Sequence, residues 1–192
     1  MAEPLVARSA LRPHVAPLAS PAGAPGVTLV EVENLSLAAL AAFKGREAEL
    51  TDAIRAAFGV ELADGPKRVT ANGVSFLGTG PGKWLAVGPA GTDFSTLPAA
   101  VTDQSDGRSV FRLSGPKARE TLATLVQIDL HPRAFGPGSA AATHAASIAV
   151  QVSQLDDAPT YEIVCFRTFA ATLWRWILDA GLSREISARH AG

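Results

Sequence analysis

An α+β fold, built as two small sheet-plus-helix halves, follows from three features of the sequence. Ser109–Leu113 and Ser147–Leu155 alternate apolar and polar residues with the period of a half-buried strand. Arg46–Phe58 and Thr168–Ala180 instead repeat their apolar residues at helical spacing. Between these patterns, Val101–Leu130 reads as strand, turn, strand and helix in direct succession, a small α+β unit in itself.

That unit starts at Val101-Thr102-Asp103 and turns at Ser105-Asp106-Gly107. In its second strand Val110, Arg112 and Ser114 oppose Phe111 and Leu113. At Ser114-Gly115-Pro116 the period changes, and Ser114 is expected to cap a helix, with proline in the first turn. Ala118, Leu122, Leu125 and Val126 then form the apolar side of that helix.

In chain order, residues 1–26 read as an arm. Pro4, Pro13, Pro17, Pro21 and Pro25 with many alanines cannot build a core, yet Leu5, Val6, Leu11, Val15 and Leu18 are scattered along it. Two readings stand: a disordered terminus, or an arm extended on a larger partner. The first half, residues 27–98, opens with a strand at Val27–Val32. Its helix from Arg46 to Phe58 carries Leu50, Ala53, Ile54, Ala57 and Phe58 on one stripe, Glu47 and Glu49 at its positive end, and Gly59 at its exit. Val74–Thr79 and Lys83–Val87 form a hairpin across Gly80-Pro81-Gly82. Those glycines lack the lysine-serine/threonine pair and following helix of a phosphate cradle, so they are turn residues. Trp84 reads as core. The second half, residues 99–182, contains the central unit, a loop over 131–142, and a hairpin pairing Ser147–Leu155 with Tyr161–Phe166 through Asp156-Asp157-Ala158-Pro159. Its last helix stops at Gly181, and residues 183–192 read as a frayed tail.

Composition limits function. Hydrophobic residues make up 47% and charged residues 18%, and the net charge is −1 without a basic cluster, which argues against a nucleic-acid partner. No apolar run reaches membrane-spanning length, so the expected location is the cytoplasm. The one cysteine, Cys165, lies in an apolar strand pattern and reads as a buried, inert thiol. His14, His131, His144 and His190 share no metal-ligand spacing with each other or with Cys165. Leu113-Ser114-Gly115 lacks the flanking glycines of a nucleophile elbow. Asp103 and Asp106 flank a turn, where aspartates commonly bond their own backbone.

The ordered string DQSDGR (Asp103–Arg108), LSGPKARETL (Leu113–Leu122), DLHP (Asp129–Pro132), PGSAAAT (Pro137–Thr143) and CFRTFAATLWRWIL (Cys165–Leu178) resembles the gamma subunit of the heterotetrameric sarcosine oxidase of bacteria. The resemblance spans residues 27–180. More distantly, the middle stretch is similar to folate-dependent aminomethyltransferases of the glycine-cleavage T-protein type, whose folate-binding domain gives the expected architecture. The resemblance implies a non-catalytic accessory subunit of a complex that oxidatively demethylates sarcosine. Its products are glycine, hydrogen peroxide and formaldehyde, or methylenetetrahydrofolate when folate is present. It implies FAD, FMN, NAD and tetrahydrofolate in the alpha and beta subunits and zinc in delta, with none held by this chain. The implied partners are alpha, beta and delta subunits, with no nucleic acid and no membrane. Two alternatives remain: a stand-alone folate-binding or one-carbon transfer protein, and an adaptor for an oxidase of another N-methyl amine. In aminomethyltransferases the strand after the equivalent of PGSAAAT carries paired aspartates, one of them central to catalysis. Here His144-Ala145-Ala146-Ser147-Ile148-Ala149-Val150 offers no carboxylate there.

The last helix carries the interface candidates. Phe169, Leu173, Trp176 and Ile177 form one face, and Ala170, Trp174 and Leu178 widen it to about half the circumference, against roughly one-third for a helix on a single sheet. Either the N-terminal half covers the surplus, chiefly Trp174 and Leu178, or a partner subunit does. Arg167, in a strand-like run just before this helix, needs a counter-charge. Asp103, Asp129, a subunit boundary or a substrate carboxylate would each serve.

Overall fold

Alternation in the strands sends two sets of side chains in opposite directions, and in this chain both directions are buried. The computed structural model describes residues 9–11 and 24–190, with the side chain of His190 outside the description. Most of the arm expected over 1–26, including His14, therefore lies outside the described residues. The described chain runs β1 (Val27–Val32), β2 (Leu35–Ala42), α1 (Glu47–Phe58), β3 (Arg68–Ala71), β4 (Val74–Gly80), β5 (Lys83–Pro89), β6 (Ala99–Asp103), β7 (Arg108–Ser114), α2 (Ala118–Ala123), β8 (Ala140–Ala145), β9 (Ile148–Gln154), β10 (Tyr161–Phe166), α3 (Ala170–Gly181) and β11 (Ile186–His190).

These strands make two sheets, ordered β11-β1-β7-β10-β9-β8 and β3-β4-β5-β2-β6. Every pairing is antiparallel except β1 with β11. The chain exchanges strands across the expected boundary at 98/99: β1 joins the larger sheet, and β6 joins the smaller. Phe111, Leu113, Val150, Val152 and Ile163 of the larger sheet pack with α2 and α3. Leu40, Phe76, Trp84 and Ala86 of the smaller sheet pack with Leu50 and Ile54 of α1. The opposite faces meet each other, giving four layers: helices, sheet, sheet, helix.

Several elements match the sequence patterns and several do not. In α1, Leu50 and Ile54 are buried, Ala57 is exposed, and Gly59 (φ 69°) ends the helix with its amide on Arg55 O. The Gly80-Pro81-Gly82 turn joins β4 to β5 as expected. Ser114, however, is not a cap. It ends β7 opposite Thr28, and α2 begins four residues later with no side-chain cap. Gly115 (φ 111°) occupies the gap, where a Cβ would come within 2.6 Å of Gly26 O, and the Lys117 amide bonds that same oxygen at 2.9 Å. The approach of these two backbones, not a capping hydroxyl, fixes the start of the helix. Residues 140–142, read as loop, belong to β8, and residues 186–190, read as tail, form β11.

The sheet-to-sheet seam is thin. Leu37, Leu77, Leu85 and Val87 of the smaller sheet meet Val110 and Val164 of the larger. Beside them Arg68 donates to Glu162 Oε1, and the two side chains are only 11% and 3% exposed. The same guanidinium reaches Ser153 Oγ at 3.2 Å and Ser75 Oγ at 2.9 Å. Arg112 donates to the other carboxylate oxygen of Glu162 at 3.2 Å. Gln151 adds a second crossing, donating to Gly78 O at 3.1 Å. Removing one partner of a buried pair leaves the other charge stranded, at about 3–5 kcal/mol. Arg68→Ala and Glu162→Ala are each expected to destabilise the chain by that amount in urea unfolding, whereas Arg68→Met with Glu162→Leu recovers most of it. Equal losses in the single and double variants would contradict a coupled pair.

Candidate functional site

Beyond the end of the seam the sheets diverge and leave a cleft of about 670 Å³. Its charged lining comprises Glu31 on β1 and Glu33 just after it, Asp106 in the β6–β7 turn, Arg108 at the start of β7, and Arg167 after β10. Ser9 forms part of the wall. Arg108 is held in place from two sides. Its Nε donates to Gln104 Oε1 at 3.2 Å, and its guanidinium lies 3.8 Å from the centroid of the Phe166 ring, a cation–π distance. The cleft thus carries both signs of charge, the chemistry of a polar contact surface.

Arg167 sits in a single 3-10 turn, Arg167–Phe169, and its amide donates to Gly107 O at 2.9 Å. Its side chain lines the cleft with Glu31 and Asp106. The carboxylates expected to pair with it are used locally: Asp103 accepts from the Ser105 amide at 2.9 Å and hydroxyl at 2.7 Å, and Asp129 from the His131 amide at 2.8 Å. The Ser105 bonds also hold the Asp103 carboxyl below the usual range.

Trp174 changes places relative to the sequence reading. It is fully buried in the helix-side core of the larger sheet, edge-on to Phe111 with ring centroids 5.5 Å apart. A side chain with no exposed surface cannot itself meet a partner, so Trp174 is core. Trp176 and Leu178 are half-buried against the same core. The exposed aromatic surface lies earlier, at Phe166 (43% exposed) and Phe169 (47%), with Phe43 and Leu182 elsewhere. Helical-wheel reasoning missed Phe166 because it belongs to a strand; its place next to Phe169 across a sharp turn was the available signal.

Two titratable side chains lie in the interior. Cys165 has no exposed surface, and burial pushes its thiol up to about 12, with the nearby Glu31 carboxylate adding to the rise. Tyr161 is likewise pushed upward by burial while its hydroxyl accepts from Arg119 Nε at 3.1 Å. Among the described residues no group of three or more His, Cys, Asp or Glu side chains could hold a metal ion. The stretch His144–Val150 forms the end of β8, the turn and the start of β9. Its turn residue Ala146 has φ 49° and donates its amide to Leu125 O at 2.7 Å.

The thiol gives a pH test. Below its ordinary value of 9.0 the thiol is neutral folded and unfolded; between 9.0 and about 12 only the unfolded chain ionises it. Stability is therefore fully present below the lower value and falls as pH rises through the window, by at most about 1.4 kcal/mol per pH unit. Cys165→Ala is expected to flatten that slope in unfolding curves taken across the alkaline range, and an unchanged slope would assign the loss to other groups.

Comparison with known proteins adds to this geometry. Residues 44–183 match the model of the "Sarcosine oxidase, gamma subunit family". A sarcosine oxidase subunit gamma from Arthrobacter sp. is 34% identical over 138 residues, 67% of this chain and 68% of that protein. Its counterpart from Corynebacterium sp. (strain P-1) is also 34% identical, over 116 residues that make up 56% of this chain and 57% of the relative's length. Among solved structures, a chain of the heterotetrameric sarcosine oxidase from Corynebacterium sp. U-96, in complex with pyrrole 2-carboxylate, superposes with a TM-score of 0.75. It is 28% identical, and the match covers 86% of this chain and 89% of that one. The aminomethyltransferase T of the glycine cleavage system from Bartonella henselae shares the fold at a TM-score of 0.61 and 15% identity, over 88% of this chain and 48% of that one. The two-sheet architecture is that of the T-protein type, and the chain belongs to the sarcosine oxidase gamma subunit family.

Proposed function

We propose that this chain is a non-catalytic accessory subunit of a cytoplasmic heterotetrameric sarcosine oxidase, assembling with alpha, beta and delta subunits. The observation that carries this reading is the similarity over 86% of the chain to a chain of the heterotetrameric Corynebacterium enzyme. The complex oxidises the N-methyl group of sarcosine, with FAD, FMN, NAD and tetrahydrofolate held by alpha and beta and zinc by delta. No helix among the described residues is long and apolar enough to cross a membrane.

The chemistry of the chain supports a holding role. Glu162 is committed to binding the two sheets, Asp103 and Asp129 to turns, and Cys165 is buried with a suppressed ionisation. The surface suited to a neighbour combines Phe166, Phe169 and Arg108 with the half-buried Trp176, Leu178 and Arg167 around α3. Aromatic and arginine side chains are the ones that carry binding energy at subunit boundaries.

Co-expression of all four chains tests the reading. Phe166→Ser with Phe169→Ser, both exposed and therefore costing the isolated fold little, is expected to lower co-purification of the other subunits at least about tenfold, the effect of losing roughly 1.4 kcal/mol. Undiminished co-purification would remove these residues from the interface. Titration of the isolated chain with tetrahydrofolate is expected to show no saturable binding, and saturation would favour a folate-binding protein instead.

A further inference from the structure

The smaller sheet covers only part of the larger one, and β1 shows where the cover ends. Along β1 the buried Val27, Leu29 and Glu31 alternate with the half-buried Thr28, Val30 and Val32. Val27 and Leu29 face the helices, as do Phe111 and Leu113 of β7 and Ile186 and Ala188 of β11. The alternate residues of these strands therefore face the other way. Val32 packs on the seam, and Val30 and Thr28 continue past it. Strand register sets what stands beside them. Arg112 of β7 and Arg189 of β11 flank Val30 on its two sides, on the same face of the sheet, and both are exposed. The next row is Ser114, Thr28 and Ser187, with the Ser187 hydroxyl 3.5 Å from Thr28 Oγ1.

Charge on this face is unbalanced. Among the described residues of these rows Glu162 is the one carboxylate, and it already serves both Arg68 and Arg112. Two guanidinium groups against one carboxylate leave a positive charge. Arg189, which makes no ion pair or hydrogen bond among the described residues, adds another. The chain as a whole carries −1, so positive charge is concentrated here. Arg112 leans toward β10, donating to Glu162 at 3.2 Å, while Arg189 stands two strand spacings, roughly 10 Å, away beyond Val30. The two guanidinium groups diverge, which suits separate carboxylates on a protein surface and not one small anion. We infer that this face docks an acidic segment of a neighbouring subunit, with Arg189 as its anchor and Arg112 beside it. The inference rests on the accessory-subunit reading and gives that subunit a second contact surface, on the opposite side of the larger sheet from α3. A guanidinium free of an internal partner offers its whole fork to a carboxylate, and such charges govern the encounter rate and salt dependence of association.

Co-expression of the four chains, with the tag on one of the others, provides the test. The readout is the fraction of soluble gamma chain retained on the captured complex. For the wild type it is expected to fall as salt rises from about 0.1 to about 1 M, where the screening length shrinks from about 10 to about 3 Å. Arg189→Glu, at an exposed position, is expected to lower retention at the low-salt end at least about tenfold, and Arg189→Lys to stay within about twofold of the wild type. Should Arg189→Glu leave no soluble chain, Arg189→Ala decides, with a fall of at least about threefold. Full retention of the deciding variant overturns the docking face. Wild-type retention indifferent to salt overturns it too, as do equal losses in Arg189→Lys and Arg189→Glu. The accessory-subunit reading survives all three results, because the wild-type chain still co-purifies; a wild-type chain that does not co-purify overturns both. Sizing of the chain purified alone covers the remaining occupant: self-association that Arg189→Glu abolishes would make a second copy the partner and overturn the inference.

Discussion

Two sheets that pack face to face across a narrow apolar strip depend on how the polar groups in that strip are satisfied. Here the answer is the Arg68–Glu162 pair, with Ser153, Ser75 and Arg112 supplying the remaining partners. A carboxylate so placed is expensive to desolvate and gains its stability only from a complete set of donors. The pair therefore fixes the relative setting of the sheets more than it adds to their cohesion. An arginine from β3 must land on β10, and the seam residues Leu37, Leu77, Leu85, Val87, Val110 and Val164 fall into register around it. The helices then cover what the seam leaves exposed, and the charged cleft appears where the sheets part.

How much of this the sequence reveals depends on whether the information is local. β7 and β9 alternate strongly, and α1 carries both a stripe and a glycine exit, so their identities can be read directly. β2 and β8 are built largely of alanine, which has little preference for a strand, and only their pairing with β5 and with β9 makes them extended. β11 follows a helix and a short turn near the end of the sequence, and its pairing with β1 is far removed in the chain. Ser114 was misread for a related reason: the hydroxyl is a good local cap, but the distant backbone of Gly26 decides the turn.

The candidate site divides along the same line. That Cys165 is buried and inert, and that Asp103 serves its own turn, are short-range matters. Whether Trp174 meets a partner or its own sheet is not, because the helical wheel shows how wide an apolar face is and not what lies opposite. Phe111, Val27, Leu29 and Leu11 lie opposite, drawn from three separate segments. Once they are counted, the apolar surplus of α3 shrinks to its half-buried margin, and the exposed aromatics shift to the turn after β10.

The pairing of β1 with β11 joins residues 159 positions apart, Thr28 and Ser187. During synthesis, the N-terminal member of that pair waits for its partner, 159 residues later, to leave the ribosome. Its unsatisfied amides and carbonyls stay available to other nascent chains in the interval. Closure over such a long intervening segment also makes folding slow. Chaperone demand therefore bears on the yield of this chain as directly as its final stability does.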